Sequence, residues 1–313
     1  MKTKILSGLL ILTISICFSG AFAADWYPSK WGPDDELGAA NLLSPALVLK
    51  AAKLITTGKV YRMGVPVDRT TPAFPPRSLA VTVLQPNQYG GATFGENKMS
   101  YCDDMFTGWL GIGTQIDALS HLGIDGQFYN GLHSKDFVQV TGVTKLGIEK
   151  IPPIVTRGVL IDMAGHKGVE MMKEGEVISV DDIKAATAAQ GITIERGDVV
   201  IFHTGWLNLL GKDNKRYASG EPGIDVKSAE YLCSLEVIAV GMDNWGIEAV
   251  PFPNPNRVWE GHQVLLAKNG VYILETLDTR EMIKDGVKEF LFVLGQPLYT
   301  GAVQAIINPV GIR

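Results

Sequence analysis

Cysteine and histidine are both scarce in this sequence, with three of the first and five of the second. Cys17 falls in an N-terminal apolar run, which leaves Cys102 and Cys233, and a pair so placed cannot form the cluster of a thiolate zinc site. They allow one disulfide in an oxidising compartment or two free thiols. Charge is thin as well. Charged residues make up 19% of the chain, the net charge is -5, and no basic cluster stands out, which argues against nucleic acid as a partner. No G-x-S-x-G elbow is present, and Ser120 before His121 lacks the strand-to-helix context of a serine nucleophile. No G-x-G-x-x-G lies between a strand and a helix, so a dinucleotide is not implied.

Long apolar runs are confined to the start. Lys2 and Lys4 precede the run from Leu9 to Phe18, and Ala21-Phe22-Ala23 follows with small residues at the positions a signal peptidase reads. This is the pattern of a secretory signal over residues 1–23. Ile16 before Cys17 is not the small residue of a lipoprotein cleavage site. The expectation is a periplasmic or secreted protein, unattached to membrane after cleavage, with one domain over residues 24–313. Hydrophobic residues at 46%, with Gly 35 and Pro 16, describe a loop-rich globular composition able to bury a substantial core.

Ser44-Pro45 reads as a helix start, with Leu47, Val48, Ala51, Ala52 and Ile55 at helical spacing and Gly58 closing the segment. Strands are expected at Val60 to Met63, Ser78 to Leu84, Val155 to Asp162, Asp198 to His203, Val237 to Val240 and Val271 to Leu274. A second helix opens at Val180 and ends at Gly191, and a third starts at Asp225 and runs through Ala229, Leu232 and Cys233. Ile283 to Phe292 fits helix or strand. The glycine-rich stretch Gln85 to Asn97 is a loop, at the surface or over a pocket. The elements lack the regular alternation of a doubly wound sheet and suggest one mixed α/β domain.

Histidine meets carboxylate in two places. In Gly111-Ile112-Gly113-Thr114-Gln115-Ile116-Asp117-Ala118-Leu119-Ser120-His121, an extended Gln115 to Asp117 would point both side chains one way. A helical continuation would set His121 on the face of Asp117. Such a pair can bind a cation, move a water's proton, or simply neighbour one another at the surface. In the second place, His262 to Leu266 precedes Val271-Tyr272-Ile273-Leu274-Glu275. A carboxylate ending so apolar a strand needs water, an ion pair such as Arg280, or a metal. His203 follows an apolar strand as a core or pocket histidine, while His133 and His166 lie in polar loops. Trp109, Phe106, Trp245 and Phe252 are pocket walls or packing residues, and the adjacent acids Asp103 and Asp104 are solvated loop residues or, if a metal motif nearby is altered, replacement ligands.

These residues resemble the metal-dependent cyclase-like hydrolases, which include bacterial kynurenine formamidases and isatin hydrolases. The family mark is H-x-G-T-H-x-D-x-x-x-H, against G-I-G-T-Q-I-D-A-L-S-H from Gly111 to His121. Arg157 to Asp162, Gly197 to Val200 with Thr204-Gly205-Trp206, His262 to Glu275 and Gly301 to Pro309 also look like family landmarks. The resemblance implies a swivelling β/β/α fold, with mixed sheets and peripheral helices, in a homo-oligomer. It implies hydrolysis of a small amide, lactam or lactone with manganese or zinc. Carried over by position, Asp117, His262 and Glu275 would be metal ligands and His121 the proton-transfer group. Gly111 and Gln115 replace the first two metal histidines of the motif. The expectation is therefore one divalent cation per chain, on Asp117, His262 and Glu275 with Gln115 as a further ligand. A lyase or cyclase on the same scaffold, or a catalytically silent binding protein, are the competing readings.

Overall fold

The structure is a computed structural model that describes residues 26–84 and 90–313. The expected signal segment, residues 1–23, and the beginning of the glycine-rich stretch lie outside the described residues. Local chemistry fixes the three main helices. In α1 (Pro45–Ala52), the Ser44 side chain accepts from Leu47 N and proline takes the first turn. In α2 (Val180–Gln190), Ser179 and Asp182 cap one another reciprocally, and Gly191 ends the helix at φ 68°. In α3 (Val226–Ser234), Asp225 accepts from Ser228 N. α1 stops at Ala52, so Ile55 is not on its face and is exposed. The ambiguous stretch from Ile283 divides. A short helix, Arg280–Lys284, turns at Gly286 into a strand, Glu289–Leu294.

Among the described residues, eleven strands are three or more residues long: β1 (Val60–Arg62), β2 (Leu79–Leu84), β3 (Asp103–Gly108), β4 (Gln115–Asp117), β5 (Ile154–Asp162), β6 (Val199–His203), β7 (Ala239–Met242), β8 (Tyr272–Glu275), β9 (Glu289–Leu294), β10 (Gln304–Ile306) and β11 (Val310–Ile312). Nine of them form one mixed sheet in the order β1-β11-β9-β5-β6-β7-β8-β4-β10. The central four, β5 to β8, run parallel. Antiparallel strands flank them on both sides. The parallel block is buried on both faces, which explains the unbroken apolar runs Val159 to Ile161, Val199 to Phe202 and Tyr272 to Leu274. Arg157 on β5 grips Asp198 at the foot of β6 with a two-pronged bond, Nε to Oδ1 at 2.9 Å and Nη2 to Oδ2 at 2.6 Å. These features make the predicted α/β class with mixed sheet and peripheral helices the observed one.

β2 and β3 form a separate antiparallel ribbon. Val81, Val83, Met105 and Phe106 are exposed along it. Asp103 and Asp104 lie on the exposed β3, apart from the buried acids described below, and Phe106 and Trp109 are exposed with them. The expectation that these four would line or complete the site is therefore corrected. Cys102 and Cys233 are both free.

Candidate metal centre

Strand register assembles the site. β4 pairs antiparallel with β8, setting Gln115 opposite Glu275, and with β10, setting Asp117 opposite Gln304. Alternation along β4 points Gln115 and Asp117 to the same side, so all four polar side chains share one face of the sheet. Each cross-strand pair is bonded. Gln115 Nε2 donates to Glu275 Oε2 at 2.5 Å, and Gln304 Nε2 donates to Asp117 Oδ1 at 2.7 Å. After Asp117 the chain makes a turn, not the helix considered from sequence, with His121 N bonded to Ala118 O at 2.9 Å. That turn brings His121 Nε2 to 3.9 Å from Asp117 Oδ2.

His262 comes from a different element, the short helix Glu260–His262 that runs into a π-helical turn at Gln263–Lys268. Trp259, which opens it, has φ 55°, a strained value for a bulky residue. Glu248 holds His262 in place. Its Oε1 accepts the His262 backbone N–H at 2.6 Å, and both its oxygens lie 2.9 Å from Nδ1. A side chain at Gly261 would put its Cβ 2.8 Å from Glu248 Oε1, so glycine is what admits this carboxylate. With Nδ1 engaged, Nε2 faces the other carboxylates, 3.2 Å from Glu275 Oε1 and 3.5 Å from Asp117 Oδ2.

Donor atoms of Asp117, His262 and Glu275 thus lie within 4.8 Å of one another, all buried. Asp117 Oδ2 is buried with no hydrogen bond. A buried carboxylate oxygen without a hydrogen bond is unfavourable unless a cation compensates it. Electrostatics agree. Burial and then the neighbouring Asp117 charge raise Glu275 to about 7. Burial also pushes Asp117 up, but His121, His262 and the Gln304 hydrogen bond together hold it below its ordinary value. Burial would lower His262, yet Glu248, Asp117 and Glu275 drive it well above the usual imidazole range. Burial drives His121 the other way, toward neutrality, against the pull of Asp117. His121 and His262 together offset the cost of burial at Asp117. A proton on Nε2 does for this cluster, incompletely, what a divalent ion would do. The donor set fits such an ion.

The cluster opens into a pocket lined by Phe74, Arg77, His121, Trp245 and Trp259, with roughly 410 Å³ of open space counted to its mouth. Phe74, Trp245 and Trp259 stand 5.8–6.2 Å apart, centroid to centroid, as an aromatic wall. Trp259 also packs on the His262 ring at 5.3 Å. Glu221 fixes part of this wall by accepting Trp245 N at 2.9 Å. Of the aromatic residues singled out from sequence, Trp245 lines the pocket, and Phe252 sits behind it against Trp259 at 5.0 Å.

The three expected ligands and His121 are thus brought together, and Gln115 joins them as a donor to Glu275. Glu275 does not pair with Arg280, which binds Asp278 at 2.6 Å instead. His203 is a satisfied core histidine, with Nδ1 2.7 Å from Thr279 Oγ1. His166 is exposed, and His133 accepts from Lys135 N at its own turn. Sequence reasoning missed Glu248, Gln304, Arg77, Phe74 and Trp259. Glu248 left one usable sign, an acid inside the otherwise apolar Gly246 to Val250.

The Cyclase family model matches residues 61–249, more than half the sequence, and the chain belongs to that family. A crystal structure of a novel cyclase superposes with a TM-score of 0.82 at 31% identity, covering 91% of this chain and 98% of its own. Isatin hydrolase A from Ralstonia solanacearum gives 0.61 at 18% identity, covering 86% and 97%. An isatin hydrolase bound to the product analogue thioisatinate gives 0.61 at 19% identity, covering 86% and 98%. The last two establish likeness of fold. No curated protein matches the chain.

Proposed function

We propose that the protein is a metal-dependent hydrolase of a small amide, lactam or lactone. The observation that carries this is the orphaned Asp117 Oδ2, ringed by His262 Nε2, Glu275 and His121 at the floor of an aromatic pocket. Asp117, His262 and Glu275 would hold one divalent cation, with Gln115 at its edge. A second has no seat, because Asp117 Oδ1 is taken by Gln304 and Gly111 has no side chain to offer. Two carboxylates and one imidazole favour manganese, with zinc the alternative. When bound, such an ion would acidify a water and polarise the substrate carbonyl.

The chain's own groups supply the rest. Glu248 keeps Nδ1 of His262 engaged so that Nε2 stays directed at the cluster. His121, neutral at physiological pH, takes the proton of the attacking water and returns it to the departing nitrogen or oxygen. One water is added, the acyl bond breaks, and an acid and an amine or alcohol are released. Phe74, Trp245 and Trp259 flank a flat substrate and keep bulk water off it. The similarity in fold to isatin hydrolases supports a cyclic amide among the substrates. The signal pattern supports action in the periplasm or outside the cell. The exposed apolar β2–β3 ribbon supports a homo-oligomer.

Metal analysis of the purified protein, with product masses from a panel of amides, lactams and lactones, tests the reading. Manganese- or zinc-dependent gain of one water by a panel member is expected. Metal-dependent products formed without added water would turn the assignment to a lyase or cyclase. A protein that neither retains nor responds to metal would be a binding protein.

A further inference from the structure

Among the described residues Arg77 is the one arginine or lysine in the pocket lining, and nothing in the proposed hydrolysis uses it. It reaches the place where the family motif carries its first histidine. A Cβ built on Gly111 would lie 2.6 Å from Arg77 Nη1 and would collide with Gln304 Oε1, so these two side chains fill the room a histidine would need. Arg77 Nη1 donates to Gly111 O at 2.9 Å. Most of the guanidinium's donors are left unused by that bond. Among the described residues no carboxylate forms an ion pair with Arg77. Of the nearby acids, Glu275 is bonded to Gln115 and His262, and Asp117 is bonded to Gln304 through Oδ1 with Oδ2 facing His121 and His262. The guanidinium lies 6.0 Å from the Phe74 ring, on the aromatic side of the pocket. A cation with free, forked donors beside an aromatic wall is a receptor for a planar anion.

We propose that Arg77 binds a carboxylate on the substrate, so that the substrate class is an aromatic acid carrying the scissile amide or ester. This rests on the hydrolase reading for the bond broken, but not for the anion bound. Gly111 leaves the room that the arginine occupies.

The test is calorimetric binding of benzoate and of benzamide to the manganese-treated full-length mature protein, as wild type, Arg77→Met and Arg77→Lys, with bound manganese measured in each. Wild type should prefer benzoate. Arg77→Met should lose benzoate affinity by about 10- to 100-fold, the scale of a charge-assisted hydrogen bond, with benzamide affinity and manganese content unchanged. Arg77→Lys, which keeps the charge and loses the fork, should fall between them. Equal benzoate affinity in wild type and Arg77→Met, or parallel loss of both probes, would overturn the proposal. If Arg77→Met fails to fold, Arg77→Lys decides, and an unweakened benzoate affinity there overturns it. Should wild type bind no manganese, the hydrolase reading fails, while the contrast between the two probes still decides Arg77.

Discussion

Glu248 offers the sharpest perturbation, because it touches neither pocket nor cation and acts only through His262. Its carboxylate accepts the His262 backbone N–H at 2.6 Å and brackets Nδ1 with both oxygens at 2.9 Å. Glu248→Gln is nearly isosteric. It removes the charge and turns one acceptor into a donor, which opposes the Nδ1 proton and frees the ring to rotate. Nε2 then loses its fixed aim at Asp117 Oδ2 and some of its basicity. Removing a carboxylate behind a ligating histidine weakens metal binding by about 10- to 100-fold, or about 1.4–2.7 kcal/mol. Calorimetric titration of manganese into chelator-treated protein reads this directly, with circular dichroism to confirm the fold. Gly261→Ala should weaken binding in the same direction, since its Cβ would press on Glu248 Oε1. A folded Glu248→Gln protein that bound manganese as tightly as wild type would refute the reasoning.

Asp117→Asn should abolish metal binding and lower the melting temperature of the metal-free protein, since it takes a charged partner from the buried His262. Metal should stabilise wild type by about 2.7 kcal/mol at a hundredfold excess over Kd and leave the variant unmoved. His121→Ala should keep its metal and lose about 10²-fold in turnover, measured by steady-state kinetics beside metal content. The metal-free protein should also lose stability as pH rises from about 5 to about 8. Glu275, raised to about 7, and His262, held well above its ordinary value, both favour the folded state when protonated, and that advantage disappears as each deprotonates. Asp117, held low, does not titrate in this window, while His121, held below its ordinary value, gives an opposing gain at the acid end that the two raised groups outweigh. Thermal melts of chelated protein across the window check the sign, and greater stability at the alkaline end would contradict it. Arg157→Met breaks the two-pronged bond to buried Asp198 and should cost about 3–5 kcal/mol in urea unfolding, leaving metal affinity unchanged.

Much of this molecule was legible where a local rule governs. Ser44-Pro45 and Asp225 each marked a helix start and Gly191 a helix end by local chemistry, and the parallel strands showed as apolar runs because both faces are covered. The ligand trio was legible because histidine is scarce and a carboxylate ending an apolar strand is conspicuous. Gln304 and Arg77 were not, since their roles follow from strand register and from empty space over Gly111, and neither leaves a periodic trace. β3 was missed because its residues are exposed, without the alternation that one-sided burial imposes. The aromatic wall gathers Phe74, Trp245 and Trp259 from distant loops, a convergence the fold creates and linear spacing does not encode.

An anomalous-scattering map from crystals grown with manganese bears most directly on the central claim, that one buried cation is shared by residues distant in sequence. One strong peak per chain is expected, held by Asp117 Oδ2, His262 Nε2 and a Glu275 oxygen, with no second peak beside Gly111. An unoccupied cluster in protein shown to have bound manganese, or a peak held by other side chains, would contradict it.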